Sequence, residues 1–299
     1  MTIKLAGMKL KDYCGYRDTE INLLNDQDQA NNIVVIYGPN GIGKSTLIKA
    51  IQLVSNPFLY EHRNSDKIEL LLKKLVYNDD YDPSYSAVYE QAGGQSKYNM
   101  QMHGVFDDES KQFKSVIMEQ NGLQLCELEK KHKGYAYYID ADNPVNMSRF
   151  QLEGTYKEQF LEIANIVYGY ECNLAESIEE FIEDEYGNNQ MIELFNDFTL
   201  NKNGTLVHFK SMSAGEKKIA TLLSSLCDPN YINILDIVLI DNIAMHVYFK
   251  RHASMIDKIL EFFPNKQFIV TTHSETLIKH VRATYGENCL LDLETIKEG

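Results

Sequence analysis

The pattern of apolar and polar positions changes character several times along this 299-residue chain. At the start, Ile3, Leu5 and Met8, then Ile21 and Leu23, alternate with polar residues, which predicts two paired strands turning at Cys14–Gly15. Residues 33–37, IVVIY, form a short continuous apolar run of the kind found in a strand covered on both faces. After GPNGIG, the positions of Leu47, Ile51 and Val54 fall on one face of a helix. Residues 77–140 are rich in tyrosine, glycine and short alternating stretches, such as KSVIME (114–119) and GYAYYI (134–139), and predict an antiparallel β region. Residues 155–198 turn helical and acidic. In AESIEEFIEDEY (175–186), Ile178, Phe181 and Ile182 form an apolar stripe among carboxylates, a solvated helix face or a docking surface. From 211 onward helix, strand, helix and strand alternate, ending in QFIVTTHS (267–274). No internal repeat, linker or long heptad run interrupts the pattern. The expected fold is α/β: one domain over 1–299, with an antiparallel β region and a helical subdomain inserted at 152–200.

Apolar residues make up 44% of the chain, enough for a substantial core. The net charge of −14 makes generic attraction to nucleic acid or anionic membrane unfavourable, although a local basic patch is compatible with it. MTIKLAGMKL has no apolar signal core, and runs such as Ile33–Ile36 and Ile237–Ile240 are too short to span a bilayer. The five cysteines are scattered and odd in number, without a CxxC, so reduced thiols in a cytoplasmic protein are expected.

The most specific stretch is GPNGIGKS (38–45), which fits G-x-x-x-x-G-K-[ST] between a strand and a helix. Glycines let successive backbone N–H groups turn inward toward phosphates. Lys44 can reach the terminal phosphates, Ser45 offers a hydroxyl to Mg²⁺, and the helix N-terminus adds its positive end. Asn40, Gly41, Gly43, Lys44, Ser45 and Thr46 are the candidate nucleotide contacts, with ATP and Mg²⁺ the expected ligands.

A second anion cradle lies in KSMSAGEKKIATLLSSL (210–226), where Ser213 and Gly215 precede an amphipathic helix. Locally, an N-cap explains the same residues. Their place upstream of Asp241 and His273 favours the anion site. AGGQS (92–96) resembles the same signature but is not followed by an amphipathic helix. The apolar run Ile237–Ile240 ends in Asp241, a candidate Mg²⁺ ligand with Ser45. The next residue is Asn242, an amide that cannot take a proton where such enzymes usually carry a glutamate.

With these residues in order, the chain resembles an ABC-type ATPase head: a Walker A loop at 38–45, signature MSAGE at 212–216, Walker B IVLID at 237–241 and switch TTHS at 271–274. MKLKDYCGYRDTEINL and FFPNKQFIVTTHSETL resemble the RecF, SMC and overcoming-lysogenization-defect (OLD) branch rather than transporters. The resemblance implies a homodimer or higher oligomer, in which heads associate head to tail and each ATP lies between one Walker A loop and the partner's signature. Ser213 and Gly215 would then act in trans. It also implies a nucleotide-proximal role for Arg17, a Mg²⁺- and γ-phosphate-sensing role for Gln151, and a catalytic switch role for His273. His246 matches the histidine of the family's D-E-P-E-L-H-L-H-P run, here D-N-I-A-M-H-V-Y-F.

Asn242 can hold a water but cannot deprotonate it, so hydrolysis is expected to be slow; Glu275 is a candidate substitute base. The stretch from Ser45 to Ser213 is too short for long coiled-coil arms, and no nuclease constellation follows residue 274. These features point to a regulatory ATPase of a bacterial anti-phage system that controls a separate effector protein, a nuclease or toxin. The alternative is a RecF-like DNA-repair ATPase that clamps DNA, for which the charge gives little help.

Overall fold

The chain begins with β1 (Ile3–Tyr13) and β2 (Tyr16–Asn22), followed by β3 (Ile33–Tyr37) and α1 (Lys44–Ser55). Next come β4 (Tyr85–Gln91), β5 (Lys97–Tyr98), β6 (Met100–Asp107), β7 (Gln112–Gln120), β8 (Leu123–Glu129) and β9 (Ala136–Asp140). Helix α2 (Gly154–Tyr168) leads into β10 (Glu171–Glu176), β11 (Phe181–Glu183), β12 (Asn189–Met191), β13 (Asn196–Lys202) and β14 (Thr205–His208). The last part comprises α3 (Ala214–Leu226), α4 (Pro229–Ile232), β15 (Ile237–Asp241), α5 (His252–Phe262), β16 (Gln267–Thr271), α6 (Glu275–Tyr285), β17 (Leu290–Asp292) and α7 (Leu293–Glu298). This computed structural model describes residues 3–13, 16–27, 29–55, 85–91, 97–98, 100–107, 112–120, 123–129, 136–141, 152–176, 181–183, 189–191, 196–233 and 235–298.

A five-stranded parallel sheet, in the order β17-β3-β16-β15-β9, carries the site. Its middle strands are apolar through their central positions because both faces are covered. Ile33, Val35, Val238, Ile240, Phe268 and Val270 pack into one core together with α2, α3, α5 and α6. Val34, Ile36, Ile237, Leu239 and Ile269 pack on the other face against Leu47, Ile48 and Ile51 of α1 and Leu5, Met8, Tyr16 and Ile21 of the first hairpin. That hairpin is antiparallel as expected, with register from Gly7↔Asn22 to Tyr13↔Tyr16. One side chain joins it to the sheet. Fully buried Gln267 accepts from Leu5 N (2.7 Å) and donates to Leu5 O (2.8 Å) and Asn31 O (3.0 Å).

Two expectations need correction. Within GYAYYI, β9 does not join the antiparallel region; it pairs in parallel with β15, from Ala136↔Ile237 to Asp140↔Asp241. The antiparallel pattern does hold for β6-β7-β8, which includes KSVIME. Among the described residues of 152–200, the helix covers Gly154–Tyr168 and the elements that follow are strands, including Phe181–Glu183 inside the expected acidic helix. Helix α2 stops at Gly169, whose φ of 63° is left-handed and whose missing Cβ leaves room for the Arg251 guanidinium. Arg251 Nη1 donates to Val167 O (3.0 Å), supplying a cation to carbonyls the helix end leaves unpaired.

Candidate functional site

The C-terminal ends of β3, β15 and β16 lie side by side, so the loops that leave them converge. From β3 the chain enters the phosphate-type loop, where Gly38, Gly41 and Gly43 adopt φ of 142°, 78° and 106°. A Cβ is disfavoured in those conformations, and glycine lets the peptide N–H groups curl to one side. Tyr16 secures the end of the loop, its hydroxyl donating to Gly43 O at 2.9 Å. Burial pushes the Tyr16 phenol up to about 12, so it remains a donor at neutral pH. Lys44 starts α1 and is 6% exposed; its ammonium donates to Gly38 O (2.9 Å) and Pro39 O (2.8 Å). Burial lowers its pKa, while the negative charge of Asp241 works the other way. Ser45 and Thr46 follow in the first turn and are partly exposed, and Asn40 and Gly41 are exposed at the loop's tip.

Asp241 ends β15 and is 5% exposed. Its Oδ1 accepts from the hydroxyl of Thr271, the last residue of β16. The same hydroxyl accepts from Asn242 N at 2.8 Å. Asn242 itself has φ 59°, a left-handed conformation that asparagine tolerates better than most side chains. The turn beyond it is held at its near end by Ile243 N donating to Thr271 O (3.1 Å).

His273 follows β16 and is exposed. Burial of its ring and the nearby Lys44 charge lower its pKa, with Asp241 opposing. A cavity of about 420 Å³ lies between the phosphate-type loop and these segments, lined by Asn40, Asn242, Ala244, Met245, His252, Thr272, His273 and Ser274. Glu275 turns to Lys279 instead (3.0 Å) and its side chain is 83% exposed.

The second cradle is a capping box. Ser213 is the N-cap of α3, its hydroxyl accepting from Glu216 N (3.3 Å), while Ser213 N donates to Glu216 Oε2 (2.9 Å). A Cβ on Gly215 would come within 3.3 Å of His246 Nδ1, so this helix start abuts the turn after Asp241. Lys44, Asp241, Asn242 and His273 are thus brought together, whereas Ser213 and Gly215 form a separate edge with His246. Gln151, the side chain of Arg17 and the AGGQS stretch at 92–96 lie outside the described residues. Sequence reasoning missed Tyr16, Thr271 and His252 as parts of the site. Thr271 stands in the sequence as the first residue of TTHS, with nothing to show that its hydroxyl orients Asp241.

These residues suit a magnesium nucleotide. Mg²⁺ is typically held by one or two protein oxygens together with substrate phosphates, not by a cage of protein ligands. No group of three or more His, Cys, Asp or Glu gathers as a metal site among the described residues.

The AAA_23 family, described as an AAA domain, matches residues 8–222. Among curated proteins, the chain is similar to the "Retron Vc95 probable ATPase" of Vibrio cholerae serotype O1 biovar El Tor. The two are 35% identical over 94 residues, 28% of this chain and 18% of that protein. It is also 38% identical over 87 residues to the "Retron Ec83 probable ATPase" of Escherichia coli, 26% of this chain and 16% of that protein. The chain therefore spans less than a fifth of either relative's length. Among solved structures, an Smc head bound to the C-winged helix domain of ScpA superposes with a TM-score of 0.59. Identity is 17%, covering 92% of this chain and 91% of that one. A Pyrococcus furiosus Smc head with an extended coiled coil gives a TM-score of 0.59 at 13% identity, covering 93% and 92%. These likenesses show the fold.

Proposed function

Starting from a chain that belongs to the AAA_23 family and has the ABC-type ATPase head fold of the RecF/SMC branch, we propose that it is an ATP-binding switch with slow hydrolysis. The observation that carries this reading is the meeting of Lys44, at the end of a cradle of left-handed glycines, with Asp241 and an asparagine immediately after it. Backbone N–H groups of Gly41 and Gly43 would hold phosphate oxygens, and Lys44 would balance their charge. Asn40 and Thr46 would complete the local contacts, with Arg17 and Gln151 as further nucleotide-side groups. Ser45 and Asp241 would hold Mg²⁺, whose charge supports phosphoryl transfer. His273 would stand by the terminal phosphate and Asn242 would orient water without accepting its proton. General-base help is typically worth about 10²–10⁴-fold, so turnover without it is slow but not zero.

Ser213 and the adjoining His246 are exposed and Gly215 partly so, which supports a signature completing a partner's site in a head-to-tail oligomer. The retron ATPases it resembles support a role in bacterial anti-phage defence, where this chain would control a separate effector such as a nuclease or toxin. Lys44→Ala tests the core of this reading by calorimetric titration with Mg·ATP. Binding should be lost, and affinity equal to the wild type would sink it.

A further inference from the structure

His252 begins α5 and is 5% exposed, although it holds none of the nucleotide contacts above. Its Nε2 lies 2.8 Å from Val247 O and its Nδ1 2.6 Å from Ser274 Oγ. A carbonyl can only accept, so Nε2 carries the proton; in the neutral ring Nδ1 then accepts and the Ser274 hydroxyl donates. Ser274 Oγ also accepts from Leu277 N (3.1 Å) as the N-cap of α6, and Ser274 N donates to Thr272 Oγ1 (3.0 Å). One imidazole therefore joins two segments that line the same cavity. On one side is the far end of the turn that begins at Asn242; on the other is the loop that carries His273. The near end of that turn is already fixed to β16 through Ile243 and Thr271.

We propose that His252 is a positioning residue that locks the His273 loop to the turn after Asp241, so that displacement of one segment moves the other. The inference rests on the ATP-site reading. A nucleotide contact at His273 would thereby be felt along that turn at Met245 and just beyond it at Tyr248 and Phe249, which are 41%, 52% and 52% exposed. A buried histidine that only fills space would need neither hydrogen bond, and this difference is measurable.

The experiment is hydrogen–deuterium exchange on the full chain with and without Mg·ATP. In the wild type, added nucleotide should slow exchange both at 38–46 and at 243–247. In His252→Leu the response at 38–46 should persist while that at 243–247 is lost. His252→Gln, which can still donate to Val247 O and accept from Ser274, should restore it. Ser274→Ala breaks the same link from the other partner and should reproduce the loss, which covers the case of an unfolded His252→Leu. The inference is overturned if Ser274→Ala or a folded His252→Leu keeps the response at 243–247, or if His252→Gln is as defective as the leucine variant. It is also overturned if the wild type responds at 38–46 but not at 243–247. No response at 38–46 in the wild type would instead bring down the ATP-site reading, and this inference with it.

Discussion

The hydroxyl of Thr271 donates to the Asp241 carboxylate and accepts from Asn242 N, so one side chain on β16 sets the end of β15. Asp241 Oδ1 is thereby oriented by the neighbouring strand. The parallel register that places Val270 beside Ile240 brings the two residues together.

Thr271→Val keeps the shape of that side chain but removes the hydroxyl that donates to Asp241 and accepts from Asn242 N. Loss of such a hydrogen bond to the buried Asp241 carboxylate costs about 1–3 kcal/mol. We expect a fall of that order in unfolding free energy, and a larger loss of ATP affinity with Mg²⁺ present than with Mg²⁺ chelated. Denaturant melts and paired titrations check both; an unchanged Mg²⁺ dependence would separate Thr271 from the cation site.

Asn242→Glu supplies a carboxylate directly after Asp241 but places it at φ 59°. Left-handed backbone costs a residue with an ordinary side chain roughly 1–2 kcal/mol, and asparagine is among the few that tolerate it. We expect the variant to be destabilised by about that amount and to hydrolyse ATP less than about 10²-fold faster than the wild type. A larger gain in steady-state phosphate release would show that the turn relaxes to aim the new base.

Ser213→Arg should leave ATP binding by a single chain nearly intact and block ATP-dependent association. The added bulk projects from the exposed N-cap of α3, where the reading places a partner's terminal phosphate. Light scattering with Mg·ATP provides the measurement, and association like that of the wild type would rule out the trans role.

His273 should titrate below its usual 6.5, because burial and then the Lys44 charge disfavour the imidazolium. Removing that charge in Lys44→Ala should raise the midpoint, which imidazole proton resonances would report. The unfolded chain holds this proton to higher pH than the folded one. The contribution of His273 to stability is therefore present above the unfolded midpoint and lost as pH falls through it toward the folded one. His273→Gln should flatten that part of the pH–stability curve slightly, since the ring is exposed and solvent weakens the effect.

Much of this arrangement is written locally. The apolar runs of β3, β15 and β16 announce strands buried on both faces, and GPNGIGKS announces its own backbone. The alternation in GYAYYI was less informative, because a strand at the sheet's edge can alternate whether its neighbour runs parallel or antiparallel. The acidic helix expected at 175–186 failed for a related reason: a spacing that fits a helical stripe does not exclude strand pairing, and Phe181–Glu183 pairs with Asn189–Met191. Tyr16, Thr271 and His252 were not legible because each acts on a residue far away in sequence: Gly43, Asp241 and Ser274 respectively. Periodicity carries no information about such partners. The left-handed turn at Asn242 was equally hidden, although asparagine's tolerance of it offers a physical reason for the amide.

Gln267 and Tyr16 grip the first hairpin at opposite ends, one at Leu5 and the other beside its tip. A hairpin outside the main sheet ordinarily opens early and exchanges its amides in small local openings. This one is fastened to the strand that ends at Thr271 and to the last peptide of the phosphate-type loop, so it cannot peel away without disturbing both. We expect the amides around Leu5 to exchange as slowly as those of the parallel sheet, with the hairpin and sheet melting in a single step.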